Sequence, residues 1–181
     1  MNIYLTSYGL DTRYSNYMNS YDDIISLLKN KYVAIIPNAK LKNDDRTNST
    51  VAMDELRRNN ISSDIIDINE TEFDINNFDA LYLSGGEPKY LMDAINNANL
   101  YDAIIDFISN GGIIVGQSAG AMIFCKSYYD TTTGKLLIQN NGFDYSNKMI
   151  VPHFDNLPLE LKNQMNGDLL VVNDTDKLIK L

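Results

Sequence analysis

Short apolar runs rich in β-branched residues recur along the first two thirds of the chain, at positions 3–6, 33–37, 64–68, 80–84 and 112–116. The segments between them carry apolar residues at helical spacing. Tyr21, Ile24, Ile25 and Leu28 share one face, and Val51, Met53 and Leu56 share another that runs into the basic pair Arg57 and Arg58. A basic last turn suits the carboxyl end of a helix dipole. Positions 90–110 read as helix with a break near 96–99, where asparagines lower helix propensity. Short strands alternating with helices are the rhythm of parallel strands joined by crossovers. The pattern therefore predicts a doubly wound α/β domain, with helices on both faces of a mostly parallel sheet and ligands at the carboxyl ends of the strands. Beyond position 127, turns rich in Thr, Gly and Asn surround short apolar runs at 149–151, 169–172 and 177–180. They read as antiparallel additions to the same sheet, and residues 1–181 as one domain.

The run at 112–116, Gly-Ile-Ile-Val-Gly, leads directly into Gln117, Ser118, Ala119 and Gly120 and then a small-residue helical start. A G-x-S-x-G match alone is weak. Placed between a strand and a helix, it has the setting that a nucleophilic serine requires, because small flanking residues let the backbone take the sharp turn that raises the hydroxyl above the sheet. The Ala119 N–H at the start of the following helix is then one oxyanion donor. A helix-capping serine is the plain alternative, but capping needs no glycine on either side. A second glycine turn, Ser84-Gly-Gly-Glu-Pro88, ends another strand. There Gly85 or Gly86 offers a second oxyanion N–H, and Pro88 suits the first turn of a helix.

A serine hydroxyl needs a base near neutral pH, and imidazole is the usual one. The chain has a single histidine, His153, at the end of a short apolar run and 35 positions after Ser118. The acid that would orient it is open on sequence alone. Asp130 lies between serine and histidine in the chain, and Asp144 and Asp155 are alternatives. No second histidine or ligand-spaced carboxylate pair accompanies His153, which argues against a metal site.

Composition narrows the function classes. A net charge of −9 repels phosphate backbones and anionic lipid, so neither nucleic acid nor membrane surface is an expected partner. Cys125 is the only cysteine, which rules out an intrachain disulfide and fits a reducing, cytoplasmic setting. The first nine residues turn polar too early for a secretory leader, and no apolar stretch approaches the roughly 20 residues of a membrane span.

Four motifs in order, Leu83-Ser-Gly-Gly86, Gly116-Gln-Ser-Ala-Gly-Ala121, Gly142-Phe-Asp144 and Pro152-His-Phe154, resemble the peptidase E and cyanophycinase-like serine peptidases, relatives of class I glutamine amidotransferases. The resemblance covers most of the chain. It implies a three-layer flavodoxin-like or amidotransferase-like sheet and a Ser118 nucleophile with His153 as base. It further implies no cofactor, a homodimer, and small peptide substrates, notably dipeptides with N-terminal aspartate; in such a hydrolase the Ala119 and Gly86 N–H groups would hold the oxyanion. Three departures bear on that expectation. Positions 131–135 replace an Asn-Asp pair, leaving Asp130 as a displaced acid. Gly85-Gly-Glu-Pro88 replaces Gly-Gly-Asn-Thr, which puts the anionic Glu87 beside the substrate. No arginine follows Arg58, so Lys162 or Lys126 would have to supply the cation that grips a substrate carboxylate. A relative that binds a ligand without turnover is the competing reading. A glutaminase is disfavoured, since Cys125 lies past the turn and not on it.

Overall fold

The computed structural model describes residues 1–17, 19–130, 137–165 and 167–181. Its central sheet has six strands: β1 (Ile3–Thr6), β2 (Tyr32–Ile36), β3 (Ser62–Ile65), β4 (Ala80–Leu83), β5 (Ile113–Gln117) and β10 (Ile179–Lys180), in the order β10-β1-β5-β4-β2-β3. All neighbours run parallel except β10, which pairs antiparallel with β1. This is a mostly parallel α/β sheet of flavodoxin-like type.

Strand residues alternate between two cores, as the period of two requires. Val33, Ile35, Tyr82 and Val115 meet Ile24 and Leu28 of α1 (Tyr21–Leu28) and Ala52 and Leu56 of α2 (Thr47–Arg58). Ala34, Ile36, Leu81, Leu83 and Ile114 face the other way. There they meet Leu91 and Ile95 of α3 (Pro88–Asn97), Ile104 and Phe107 of α4 (Tyr101–Ser109), and the short α5 (Ala119–Met122). Helices therefore cover both faces, as the sequence pattern predicts. The helical segment at 90–110 is broken near 96–99 as expected, into α3 and α4 with Asn99 at φ 55° between them. Asparagine tolerates that left-handed turn better than most residues.

The carboxyl-terminal third departs from expectation. β8 (Met149–Pro152) and β9 (Leu169–Val172) pair with each other in parallel, in a separate two-stranded sheet. β6 (Tyr128–Asp130) and β7 (Leu137–Gln139) form an antiparallel ribbon, and α6 (Leu159–Gln164) lies between β8 and β9. Among the described residues only β10 is an antiparallel addition to the main sheet. The parallel pairing has a consequence for chemistry: Pro152 pairs with Val172, so the carboxyl ends of β8 and β9 emerge side by side. Among the described residues no helix is long and apolar enough to cross a membrane.

Candidate active site

Ser118 stands between β5 and α5 with φ 50° and ψ −109°, a conformation rarely open to a non-glycine residue. The space around it shows why glycines flank it. A Cβ on Gly116 would lie 2.5 Å from the Gly120 carbonyl oxygen, and one on Gly120 would lie 2.2 Å from the Leu83 oxygen. Any side chain at either position would push β5, α5 and β4 apart. The Ser118 N–H donates to Thr6 O at 2.9 Å, and its carbonyl accepts from the Ala121 and Met122 N–H groups. The strained residue is thus gripped on both sides, and it remains only partly buried.

The imidazole meets that hydroxyl. Ser118 Oγ lies 3.0 Å from His153 Nε2, and His153 Nδ1 lies 2.5 Å from Asp174 Oδ1. His153 follows β8 directly and takes left-handed angles, φ 55° and ψ 25°. Its N–H donates to Ser7 Oγ at 3.1 Å, and Ser7 Oγ in turn donates to Val172 O at 2.8 Å. Ser7 follows β1, so one side chain ties the ends of β8 and β9 to the main sheet. Tyr8 packs edge-on against the imidazole, with ring centroids 4.6 Å apart.

Asp174 is completely buried, whereas the imidazole keeps about a quarter of its surface exposed, at 26%. The second carboxylate oxygen, Oδ2, accepts from Asn156 Nδ2, and the Asp174 N–H donates to Asp155 Oδ1 at 3.2 Å. This carboxylate is held in place as an acceptor for an N–H at His153 Nδ1. The expectation for Asp130 is therefore corrected. Both ring nitrogens of His153 are occupied, by Ser118 and Asp174. Asp130 is buried at the end of β6, where its Oδ2 accepts from Gln139 Nε2 at 2.8 Å. Asp144 does not meet the ring either: it sits at φ 56° in the turn after Phe143, which packs on Phe124 and Tyr101. Asp155 contributes indirectly, through the Asp174 amide. Positions 131–135, where the family pattern places an Asn-Asp pair, lie outside the described residues.

Sequence reasoning missed Asp174 because it took the last strands as antiparallel. Antiparallel pairing would put the end of β9 beside the start of β8, far from His153. A signal was present in Val171-Val-Asn-Asp-Thr-Asp176, a carboxylate-rich turn at the carboxyl end of an apolar run, where an α/β fold collects its functional groups.

The Gly85–Gly86 turn borders the serine. A Cβ on Gly85 would come within 3.3 Å of Ser118 Cβ, and one on Gly86 within 2.2 Å of the Ala39 oxygen. Gln117, beside the serine, bridges two loops and a strand. Its Oε1 accepts from Gly85 N–H and Tyr82 Oη, each at 3.3 Å, and its Nε2 donates to Tyr8 O at 2.7 Å. Ala119 begins a helix of only four residues, so the field of a long helix is absent there. What remains at this end is its individual N–H, which has no intrahelical partner by position. Glu87 precedes Pro88 at the start of α3. Lys162 donates to the Asp155 carbonyl at 3.2 Å and lies over the Phe154 ring, which places its charge on the His153 loop. Lys126 lies beyond α5, exposed, with its carbonyl accepting from the Gly142 amide. Cys125 is buried under the site, and burial pushes its thiol pKa up, which leaves it a packing residue. Among the described residues, no group of three or more His, Cys, Asp or Glu side chains could hold a metal ion.

A half-exposed serine on a strand-helix turn, bonded to an imidazole that is bonded to a buried carboxylate, is the arrangement of a serine hydrolase. The sequence model of peptidase family S51 matches residues 3–181. The chain belongs to this family. It is a serine peptidase. Among solved structures, its fold is similar to a candidate peptidase E protein from Listeria monocytogenes EGD-e, at TM-score 0.72 and 19% identity over 99% of this chain and 98% of that one. It is also similar to a peptidase from an acI-B1 actinobacterium, at TM-score 0.70 and 19% identity over 98% of this chain and 84% of that one. A search of curated proteins finds no match.

Proposed function

We propose that this S51 peptidase hydrolyses small peptides through an acyl-enzyme on Ser118. His153 Nε2 takes the hydroxyl proton as Oγ attacks the scissile carbonyl, and it returns that proton to the leaving amine. Asp174 holds the proton on Nδ1, keeping Nε2 free to accept, and stabilises the imidazolium that forms. The Gly86 and Ala119 N–H groups receive the charge that develops on the carbonyl oxygen. Water then enters by the same route in reverse and releases the acid. The observation that carries this reading is the 3.0 Å contact between Ser118 Oγ and His153 Nε2. A ligand-binding role without turnover would be favoured by an imidazole turned away from the serine.

A fluorophosphonate probe tests the chemistry. Labelling should occur in the parent protein and vanish in Ser118→Ala and His153→Ala, whereas undiminished labelling of Ser118→Ala would refute it.

Dipeptides with N-terminal aspartate are the proposed substrate class, on the strength of the family resemblance. In a chain of charge −9 they require a local cation. Lys40 is a candidate besides Lys162: its Cγ lies 2.9 Å from where a Cβ on Gly86 would stand, and its ammonium, which donates to the Asp45 carbonyl at the surface, sits on a flexible stem. On a dipeptide panel, Lys40→Met should raise KM for Asp-Xaa substrates and leave Ala-Xaa substrates unchanged.

A further inference from the structure

The catalytic reading needs the Gly86 N–H to point at a carbonyl oxygen above Ser118, yet glycine supplies no rigidity of its own. Its direction is fixed by the preceding peptide unit. In a trans peptide, the Gly85 C=O and the Gly86 N–H belong to one plane and point in opposite directions. The Gly85 carbonyl accepts from Asn48 Nδ2 at 2.8 Å, a contact buried under the turn. Asn48 itself is 5% exposed and sits at the start of α2, where its Oδ1 accepts from the Ser49 N–H at 3.0 Å. That second bond fixes the amide orientation, with oxygen toward Ser49 and nitrogen toward Gly85. On the other side, the Gly85 N–H donates to Gln117 Oε1, and Gln117 is anchored through Tyr8 O and Tyr82 Oη. Two side chains from separate elements therefore clamp Gly85 at both its amide and its carbonyl.

We infer that Asn48 and Gln117 are positioning residues that together aim the Gly86 N–H at the oxyanion. The inference rests on the acyl-enzyme reading and extends it to two residues that touch no substrate. Asn48 is the stronger arm, since its bond is the shorter and acts on the plane that contains the donor. Asn48→Asp is nearly isosteric but replaces the donor with an oxygen. A carboxylate there repels the Gly85 carbonyl and attracts an N–H, so the peptide plane turns over and the Gly86 N–H points away from the serine.

The test uses the whole chain, a p-nitrophenyl ester and a fluorophosphonate. In the parent protein the Gly86 amide proton should move downfield in the NMR spectrum when Ser118 is phosphonylated, because the phosphoryl oxygen occupies the oxyanion position. In Asn48→Asp that displacement should be lost, and kcat should fall roughly 10²-fold, the usual effect of removing one oxyanion donor, with KM within about threefold. Gln117→Met should lower kcat about tenfold and speed hydrogen exchange at the Gly85 amide. It also serves as the test if Asn48→Asp does not fold. Folded variants with parental kcat, or losses confined to KM, would overturn the inference. A parent protein whose Ser118 resists the probe would instead sink the acyl-enzyme reading, and Gly85 exchange in Gln117→Met would still decide whether the clamp exists.

Discussion

Replacing Asp174 by asparagine changes a single atom type at the buried end of the hydrogen-bond chain, and the neighbouring donors determine how the new amide must sit. The Asp174 backbone is held through Asp155, so the new side chain cannot swing out. Asn156 offers an N–H to the Oδ2 position, which obliges the new amide to turn its oxygen that way. Its NH₂ group then faces His153 Nδ1, where a carboxylate oxygen stood at 2.5 Å. Two donors cannot share that contact, so Nδ1 loses its proton and Nε2 takes it. The ring then donates toward Ser118 Oγ across the same 3.0 Å instead of accepting from it. A serine facing an N–H cannot give up its proton. The equivalent change in other serine hydrolases costs roughly 10⁴ in kcat, equivalent to about 5 kcal/mol of transition-state stabilisation. Steady-state kinetics on the best dipeptide or ester should show that loss in kcat, with the melting temperature little changed because the two side chains are isosteric. Asp130→Asn, whose bond is to Gln139, should leave kcat within about threefold. A kcat for Asp174→Asn within tenfold of the parent, or a larger loss in Asp130→Asn, would refute the assignment of the acid.

The local geometry sets three further outcomes. Ser118→Gly should be more stable than Ser118→Ala by about 1 kcal/mol in chemical denaturation, since both remove the hydroxyl but only glycine relieves the positive φ. Gly142→Ala places a Cβ 1.9 Å from the Cys125 carbonyl oxygen and should cost about 2–4 kcal/mol, read as a fall in thermal midpoint. Burial pushes the Asp67 carboxyl up, but bonds from Arg46, Asn38 and the Asn69 amide outweigh it and hold its pKa below the ordinary carboxylate value. A depressed carboxylate contributes stability above its unfolded pKa and loses it as pH falls through the folded one. The stability gap between parent and Asp67→Asn in urea titrations should therefore be full at pH 7 and shrink below about pH 4.

The four inner strands β1, β5, β4 and β2 were legible because they are buried on both faces and so read as nearly continuous apolar runs. The serine turn was legible for a different reason: Gly116 and Gly120 are required by close backbone approaches that admit no side chain. Strand 62–65, Ser-Ser-Asp-Ile, was placed a few residues too late, because at the sheet edge its polar residues carry little periodic signal. The carboxyl-terminal third was misjudged for a physical reason as well. The 16 residues between β8 and β9, from His153 to Asp168, hold only a short turn and a six-residue helix, a weak sign of a crossover. Parallel pairing of these strands places a carboxylate against the imidazole, and neither the register nor the acid can be read from composition.

The two residues proposed to carry the chemistry share an unusual property: both Ser118 and His153 are non-glycine residues at positive φ. Such strain persists only where the surroundings over-determine it. Here the restraints converge on two consecutive positions at the end of a single strand, Thr6 and Ser7. The Thr6 carbonyl accepts the Ser118 N–H, and the Ser7 hydroxyl accepts the His153 N–H while bonding Val172 ahead of Asp174. Tyr8, the next residue, braces the imidazole edge and receives the Gln117 amide. The end of β1 thus serves as the common reference from which the proposed nucleophile, base and acid are all placed, although it supplies none of the three. That arrangement lets β8 and β9 stand outside the main sheet and still hold His153 within hydrogen-bond reach of the serine. The separation of Ser118 and His153 is set by bonds from their N–H groups to the Thr6 carbonyl and the Ser7 hydroxyl, at the end of one strand of the central sheet, not by the packing of the smaller sheet that carries the imidazole.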